Sequence, residues 1–463
     1  MRFLSDKTVE KAYNYALEVL AKVGIIFEKE EALDVFRNRG FKVEANKVFM
    51  NSKQIELALE TLPKAAPEED KGGSAVATSP FGNSPLILDH RTGEIRRGTL
   101  TDAINVYKLT ETSPLYECSN PAVVDPEGLE AEDGFVAQVA LLLKHTDKFP
   151  SLGIRATKAT SLGGDVYKSG RTAIHLIREF YDTWDEPVMS QGICPMAPLA
   201  YDLEALDNID ATIDEKQSVS IFPCSLTYVT GPETLLGLII HDFAVALAGL
   251  VYVQLRAPSL NVSFSECSAI TDMRTMLPCY GVPENIQIQS GFYQICQYVG
   301  IPCSITGTLG DGNQVDFQSG AESMLTTLLP YFTADVQKVW CYPGHMAAYA
   351  CGSFTKAILD EEVMHYVNRI LQGVNQEIDP KLLDKLASAH ETKSFLRTGE
   401  KTLYRKEHYL GKTFVKQGTS GKYCEDKSEL DLRLEKALSD RYEEYSLPYR
   451  SEAQKKLLKK YLP

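Results

Sequence analysis

The chain has 463 residues, 44% hydrophobic and 24% charged, the proportions of a soluble globular protein. Its 48 basic residues face 62 acidic ones, a net charge of -14, which excludes the basic surface that nucleic-acid binding requires. Ten cysteines are scattered without a CxxC pair, so neither a disulfide framework nor a cysteine-only zinc site is expected, and no metal site is assigned.

The opening MRFLSDKTVEKAYNYALEVL is amphipathic and charged, with no apolar run ahead of a small-residue cleavage site; no signal peptide is expected, and the chain is assigned to the cytoplasm. Val9, Tyr13, Leu17, Leu20 and Val23 recur at helical spacing, predicting a helix over 6–24 that stops at Gly24. Further helices are predicted over 30–38 and 52–62, the last starting at Asn51 or Ser52 and ending before Pro63. These make a helical cap that, with a charged, Gly-, Ser- and Pro-rich linker over 64–84, forms the first unit, 1–84. A hairpin about residues 91–93 follows.

From residue 99 helices and strands alternate. Predicted strands lie at 116–124, 149–154, 187–193, 218–223, 260–264, 302–306 and 338–342, each preceded by a helix. Seven strands are assigned and the eighth is not. This alternation predicts an α/β protein, a (β/α)8 TIM-type barrel over 85–375, with a doubly wound sheet as the alternative. The segment 233–256 is long and apolar enough to span a bilayer. It is single, interrupted by His241 and Asp242, and has no one-sided basic flank, so a buried helix is expected and no membrane association. Residues 376–463 are read as a helical arm packed on the barrel, in which HYLGKTFVKQGTSGKYCEDK is an irregular stretch, a lid or a plain tail.

Barrels of this kind gather their chemistry at the carboxyl ends of the strands. The residues expected there include Asn120, Arg155, Gln191, Glu266, Asp311, Tyr342 and His345, with Tyr228 and Phe354 a little further along their loops. There is no GxSxG, P-loop or HExxH, and GTLGDG lacks the glycine spacing of a dinucleotide fingerprint. Each candidate has a plainer role beside the functional one. Glu266 and Asp311 are as suited to bonding a loop amide as to touching substrate, Trp340 to filling the barrel interior, and His345 to capping a turn. Cys224, Cys267, Cys303 and Cys341 are expected as inert buried thiols. Aromatic rings and acids without a nucleophile suit a cationic organic molecule, which each ring face attracts by ~0.5–2 kcal/mol.

Several blocks then carry a resemblance. ALEVLAKVGIIFEKEEALDVFRNRGFKVE, FPCSLTYVTGPETLLG, DMRTMLPCYGVPE, GTLGDGNQVDFQSGAESMLTTLLP, FTKAILDEEV and LSDRYEEY, in that order, resemble the trimethylamine methyltransferase (MttB-type) superfamily of corrinoid-dependent methyltransferases. The resemblance implies a barrel that passes a methyl group from an amine to the Co(I) corrinoid of a separate corrinoid protein, with no tightly bound cofactor of its own. The archetype uses pyrrolysine near the loop 307–316; this chain has no non-standard residue there. That departure implies a quaternary substrate such as glycine betaine, proline betaine, carnitine or γ-butyrobetaine.

In that frame Tyr342, Phe354 and Tyr228 surround the cationic head. Glu266 and Asp311 lend negative potential, and Arg155 or His345, with Gln191 nearby, meets a carboxylate. Gly307, Gly310, Gly312, Asn313 and Gln314 face the corrinoid. A homo-oligomer is expected. Two other readings stay open: a barrel lyase or hydrolase using Glu266 and Asp311 as acid and base, and a non-catalytic betaine-binding protein.

Overall fold

The computed structural model describes residues 2–63, 73–414 and 430–462. Eight parallel strands form the centre: β1 (Ser74–Ala77), β2 (Cys118–Ser119), β3 (Phe149–Leu152), β4 (Ser190–Ile193), β5 (Ser218–Ile221), β6 (Val262–Ser265), β7 (Cys303–Gly307) and β8 (Lys338–Cys341). The ladder runs β2 to β8 in chain order and then returns to β1, with Trp340 opposite Val76. Between β1 and β2 two hydrogen bonds close the ring, from the Ala77 amide to the Leu115 carbonyl at 2.8 Å and from the Glu117 amide to the Ala77 carbonyl at 3.0 Å. The expected barrel is present.

The unassigned eighth strand is β1, inside the stretch predicted as linker, so the barrel begins before residue 85. Four residues, Ser-Ala-Val-Ala, are too few to show a period beside glycines and prolines. β2 is much shorter than predicted because the chain meets Pro121, which has no amide to give to the ladder.

Within the strands alternate residues face opposite ways. Outward-facing Ile193, Val219, Ile221, Val262 and Phe264 are fully or almost fully buried beneath the surrounding helices. Many inward-facing positions are small or hydroxylic: Ser151, Gly192, Ser220, Ser263, Ser304 and Thr306 line an internal cavity, together with the larger Phe149, Lys338 and Trp340.

The helix Leu235–Arg256 packs against the helices Asp6–Lys22 and Pro283–Val299, with 83% of its most apolar stretch buried, as expected of a core helix. The amino-terminal unit holds the three predicted helices, at Asp6–Lys22, Glu30–Asn38 and Ser52–Glu60. It also contains strands that were not predicted, Ile25–Phe27, Lys42–Glu44 and Lys47–Phe49. The first pairs in parallel with Ala200–Tyr201, in the loop after β4, which stitches the unit to the barrel. At the other end of the chain, helices Leu430–Glu444 and Glu452–Leu458 lie on the outer layer, with Leu434, Leu438, Leu457 and Leu458 in its apolar cluster. Arg441 Nη1 reaches Glu361 Oε2 at 2.9 Å. Of the stretch read as lid or tail, 415–427 lies outside the described residues.

Candidate active site

A cavity of about 1110 Å³ runs through the barrel. At its amino-terminal end Lys338 and Glu117 form an ion pair at 2.9 Å, and the Lys338 ammonium stands over the Trp340 ring. At the carboxyl-terminal end the lining becomes aromatic and sulfurous, with Phe222, Tyr280, Tyr342, Tyr349, Cys224 and Cys267.

Three tyrosines form the mouth, and two come from β8 and its loop. That loop folds into a short hairpin, His345–Met346 against Cys351–Gly352, whose second strand runs parallel to Leu86–Leu88. Ala347, Ala348 and Tyr349 at its tip all have left-handed backbone, with φ of 48, 53 and 70°. Three consecutive non-glycine residues in this region are a strained arrangement, held by surrounding structure. The amides of Ala347 and Ala348 donate to Gly312 and Gly310 carbonyls at 3.2 and 3.1 Å.

The Tyr349 ring so placed meets Tyr280 edge-on at 5.0 Å, Tyr342 at 6.2 Å and His345 at 4.0 Å. Gly82, at φ 55°, passes directly beneath; a Cβ there would lie 2.8 Å from Tyr349 Cε1 and 3.3 Å from Tyr342 Cγ. Only glycine leaves room for both rings. Tyr280 follows the hairpin of Ile270–Asp272 with Leu277–Cys279, and its hydroxyl donates to the Cys267 carbonyl at 3.1 Å. Burial pushes all three phenols well up, so they stay neutral and present faces suited to a cation.

Cys224, expected as inert, shares hydrogen bonds with Cys194 and Cys267, and these neighbours with burial push its thiol well up. Cys224 in turn pulls the Cys267 thiol down against burial. Cys303 also lines the cavity, whereas Cys341 is buried in the outer cluster. Among the described residues no set of three His, Cys, Asp or Glu side chains is arranged to hold a metal ion.

Of the predicted site residues, Tyr342 lines the cavity. His345 is fully buried behind Tyr349; its Nδ1 accepts from the Gly310 amide at 3.0 Å, and burial, with the Lys356 charge, holds its pKa well below the ordinary value. Asp311 accepts from the Tyr280 and Gly281 amides at 2.7 and 2.8 Å, fastening the β7 loop to the β6 hairpin; burial raises its carboxyl. Glu266 is buried behind the wall, where Oε1 takes the Ser268 amide at 2.7 Å. Burial and then Asp242 push its carboxyl well up, which favours the neutral acid over a source of negative potential.

The others are not brought to the cavity. Arg155 is committed to Asp202 through contacts of 3.2 and 3.3 Å. The Gln191 amide donates to the carbonyls of Leu152, Ile154 and Gly192. Phe354 stacks edge-on against Phe81 at 4.9 Å, and Tyr228 is 70% exposed. Gly307, the last residue of β7, and Gly310 and Gly312 in its loop are buried, while Asn313 and Gln314 are exposed at the carboxyl-terminal face. Sequence reasoning missed Tyr280 and Tyr349, and also Asn83, which lines the same cavity. Tyr349 lies four residues beyond His345, and the pairing of that loop with Leu86–Leu88 returns it to the axis.

Comparison with known proteins fits this geometry. Residues 1–461 match the family model described as trimethylamine methyltransferase (MTTB). The proline betaine:corrinoid methyltransferase of Eubacterium limosum is 34% identical, over 100% of this chain and 97% of that relative. The L-carnitine:corrinoid methyltransferase of the same organism is 30% identical, with the same coverage. The glycine betaine methyltransferase of Desulfitobacterium hafniense (strain Y51) is 26% identical over 93% of this chain and 90% of that one. Among solved structures, the monomethylamine methyltransferase of Methanosarcina barkeri superposes with a TM-score of 0.53 at 10% identity, covering 97% of this chain and 90% of its own, which is a likeness of fold. The chain belongs to the trimethylamine methyltransferase (MTTB) family.

Proposed function

We propose that this chain is a quaternary-amine:corrinoid-protein methyltransferase, taking a methyl group from a betaine-type substrate and delivering it to the Co(I) corrinoid of a separate protein. The observation that carries this reading is the three-tyrosine mouth, neutral and aromatic, at the catalytic end of the barrel. Its support from relatives is the set of proteins acting on proline betaine, carnitine and glycine betaine, the first two similar along the whole chain.

The chemistry asks for what the mouth offers. The carbon–nitrogen bond breaks with its electron pair going to nitrogen, so a neutral tertiary amine leaves and no proton donor is required. The corrinoid, as co-substrate, supplies the pair that the methyl carbon accepts. The protein's share is to hold the cation among ring faces, align one methyl along the axis and exclude water. The lyase or hydrolase reading is less well supported, because Glu266 and Asp311 both spend oxygens on backbone amides behind the lining.

Around the mouth the loops after β5, β6 and β7 expose Tyr228, Met273, Met276, Leu277 and Phe317. An apolar rim of this kind fits the corrinoid protein's docking face. Working with Co(I) suits a reducing cytoplasm.

The test is a panel of proline betaine, carnitine and glycine betaine incubated with reduced corrinoid protein, read by the cobalamin spectrum. Methylation of the corrinoid with stoichiometric tertiary amine is expected from at least one. Tertiary amine formed by the purified chain alone would exclude the reading, as would tight binding with no transfer to any corrinoid protein.

A further inference from the structure

The aromatic mouth accounts for one end of a betaine and leaves the carboxylate without a partner. The cations that chemistry would suggest are engaged elsewhere. Arg155 is tied to Asp202. Lys356 is buried on Asp360 and Ser323. Lys338, which lines the cavity, is paired with Glu117 at the amino-terminal end, away from the tyrosines.

Two carboxamides are different. Asn83 follows Gly82, the residue wedged beneath Tyr349 and Tyr342, and Asn120 follows β2. Both line the cavity. Asn120 is only 2% exposed. The Oδ1 of each is buried without a hydrogen-bond partner, although buried polar atoms are ordinarily satisfied; turning each carboxamide about its Cβ–Cγ bond exchanges this acceptor for the Nδ2 donors that a carboxylate needs. Both amides converge on Gly153 at the end of β3, where a Cβ would stand 2.9 Å from Asn83 Nδ2 and 3.7 Å from Asn120 Nδ2. Next to it Gly192 of β4 also lacks a side chain; a Cβ there would be 3.4 Å from the Gly153 Cα. Gly192 is itself closed off by the Phe222 ring, 2.8 Å from where its Cβ would stand, but Gly153, Gly192 and both amides line the same cavity as the aromatic mouth.

We infer that Asn83 and Asn120 form the subsite that takes the carboxylate of the betaine-type substrate. Each carboxamide offers two N–H donors without a formal charge. Neutral donors bind the carboxylate while sparing the substrate's ammonium the repulsion that an arginine would exert. This inference rests on the proposed reading of the site as one for quaternary amines.

The test uses a matched pair of ligands, proline betaine and N,N-dimethylpyrrolidinium, which share the cationic ring and differ by the carboxylate. Calorimetry with the parent chain, without corrinoid, should show the betaine preferred. Asn120→Ala should weaken the betaine by roughly ten- to a hundred-fold and the bare cation hardly at all. Asn83→Ala should do the same and serves if Asn120→Ala does not fold; retained affinity for the bare cation shows that the mouth is intact. Equal weakening of both ligands, or of neither, would overturn the subsite. A parent chain that binds neither this pair nor carnitine nor glycine betaine overturns the quaternary-amine reading as well, whereas equal binding of betaine and bare cation beside intact methyl transfer removes the subsite alone.

Discussion

The two faces of the same eight strands have been given opposite jobs. Looking outward, Val219, Ile221, Val262 and Phe264 belong to a continuous apolar layer shared with helices Leu235–Arg256 and Pro283–Val299. Looking inward, Ser220, Ser263, Ser265 and Thr306 stand around an open bore. In many (β/α)8 barrels branched side chains fill the interior as a second core. Here one side-chain period of 2 separates cohesion from recognition, so stability is set outside the ring and binding inside it.

The largest effect that tests this contrast is on the outer face. Phe264 is fully buried, with Phe243 and Phe292 each at 6.2 Å and those two 5.7 Å apart, a triangle of rings. Phe264→Ala should lower unfolding free energy by about 3–5 kcal/mol, read from denaturant midpoints. A loss below about 1 kcal/mol would mean that the outer layer is not where the fold is held.

Next is the tie between the layers. Lys356 Nζ meets Asp360 at 2.7 Å with both side chains buried, and Asp360 also accepts the Gly344 amide of the β8 loop at 2.7 Å. Lys356→Met leaves an uncompensated carboxylate and should cost about 3 kcal/mol, with much of it recovered by adding Asp360→Leu. No recovery in the double variant would show that the cost lies in packing.

Inside the bore, substitutions should move binding more than stability. Tyr349→Leu should reduce the preference for a quaternary cation over its neutral carbon isostere by about 1–2 kcal/mol, roughly 5- to 30-fold, measured by calorimetry of both ligands. If the two ligands weaken together, the ring acts by packing alone.

Acid should act through His345. Its folded pKa lies below the unfolded value, so its share of stability is present above pH ~6.5 and is lost as pH falls below it, by at most about 1.4 kcal/mol per pH unit. Glu266, pushed upward, contributes with the opposite sign: its share is present below its unfolded value and lost as pH rises. Between pH 6.5 and 5 the parent should therefore lose more stability than His345→Gln, whose amide oxygen can still accept from Gly310. Parallel pH curves for the two proteins would remove His345 from the account. Smallest of all, Ser220→Ala in the bore should stay within about 0.5 kcal/mol of the parent in the denaturant assay used for Phe264→Ala.

The same division explains what could be read beforehand. Strands such as β5 and β6 were legible because β-branched and aromatic residues alternate with serines. β1 was not, since its apolar run is three residues inside a boundary-like stretch, and neither were the cap strands, whose register comes from partners such as Ala200–Tyr201. Tyr342 follows β8 directly, and position alone found it. Tyr280 and Tyr349 return to the axis through loops that have no period. For Glu266, Arg155 and Gln191 sequence order said which end of the barrel they occupy. The local packing that turns each from the bore is set by residues far away in the chain: Asp242 beside Glu266, Asp202 for Arg155, and the Ile154 carbonyl for Gln191.

The serine-lined bore has a further consequence. A hydroxyl can swing between donor and acceptor at little cost, so a ring of them behaves as solvent tethered to the strands, ready to reorient around whatever zwitterion enters. Exchanging one such residue alters the shape and polarity of the vestibule without disturbing any contact that holds the strands to their helices. A scaffold built this way can drift from one betaine to another by a few inward substitutions, each nearly silent in stability.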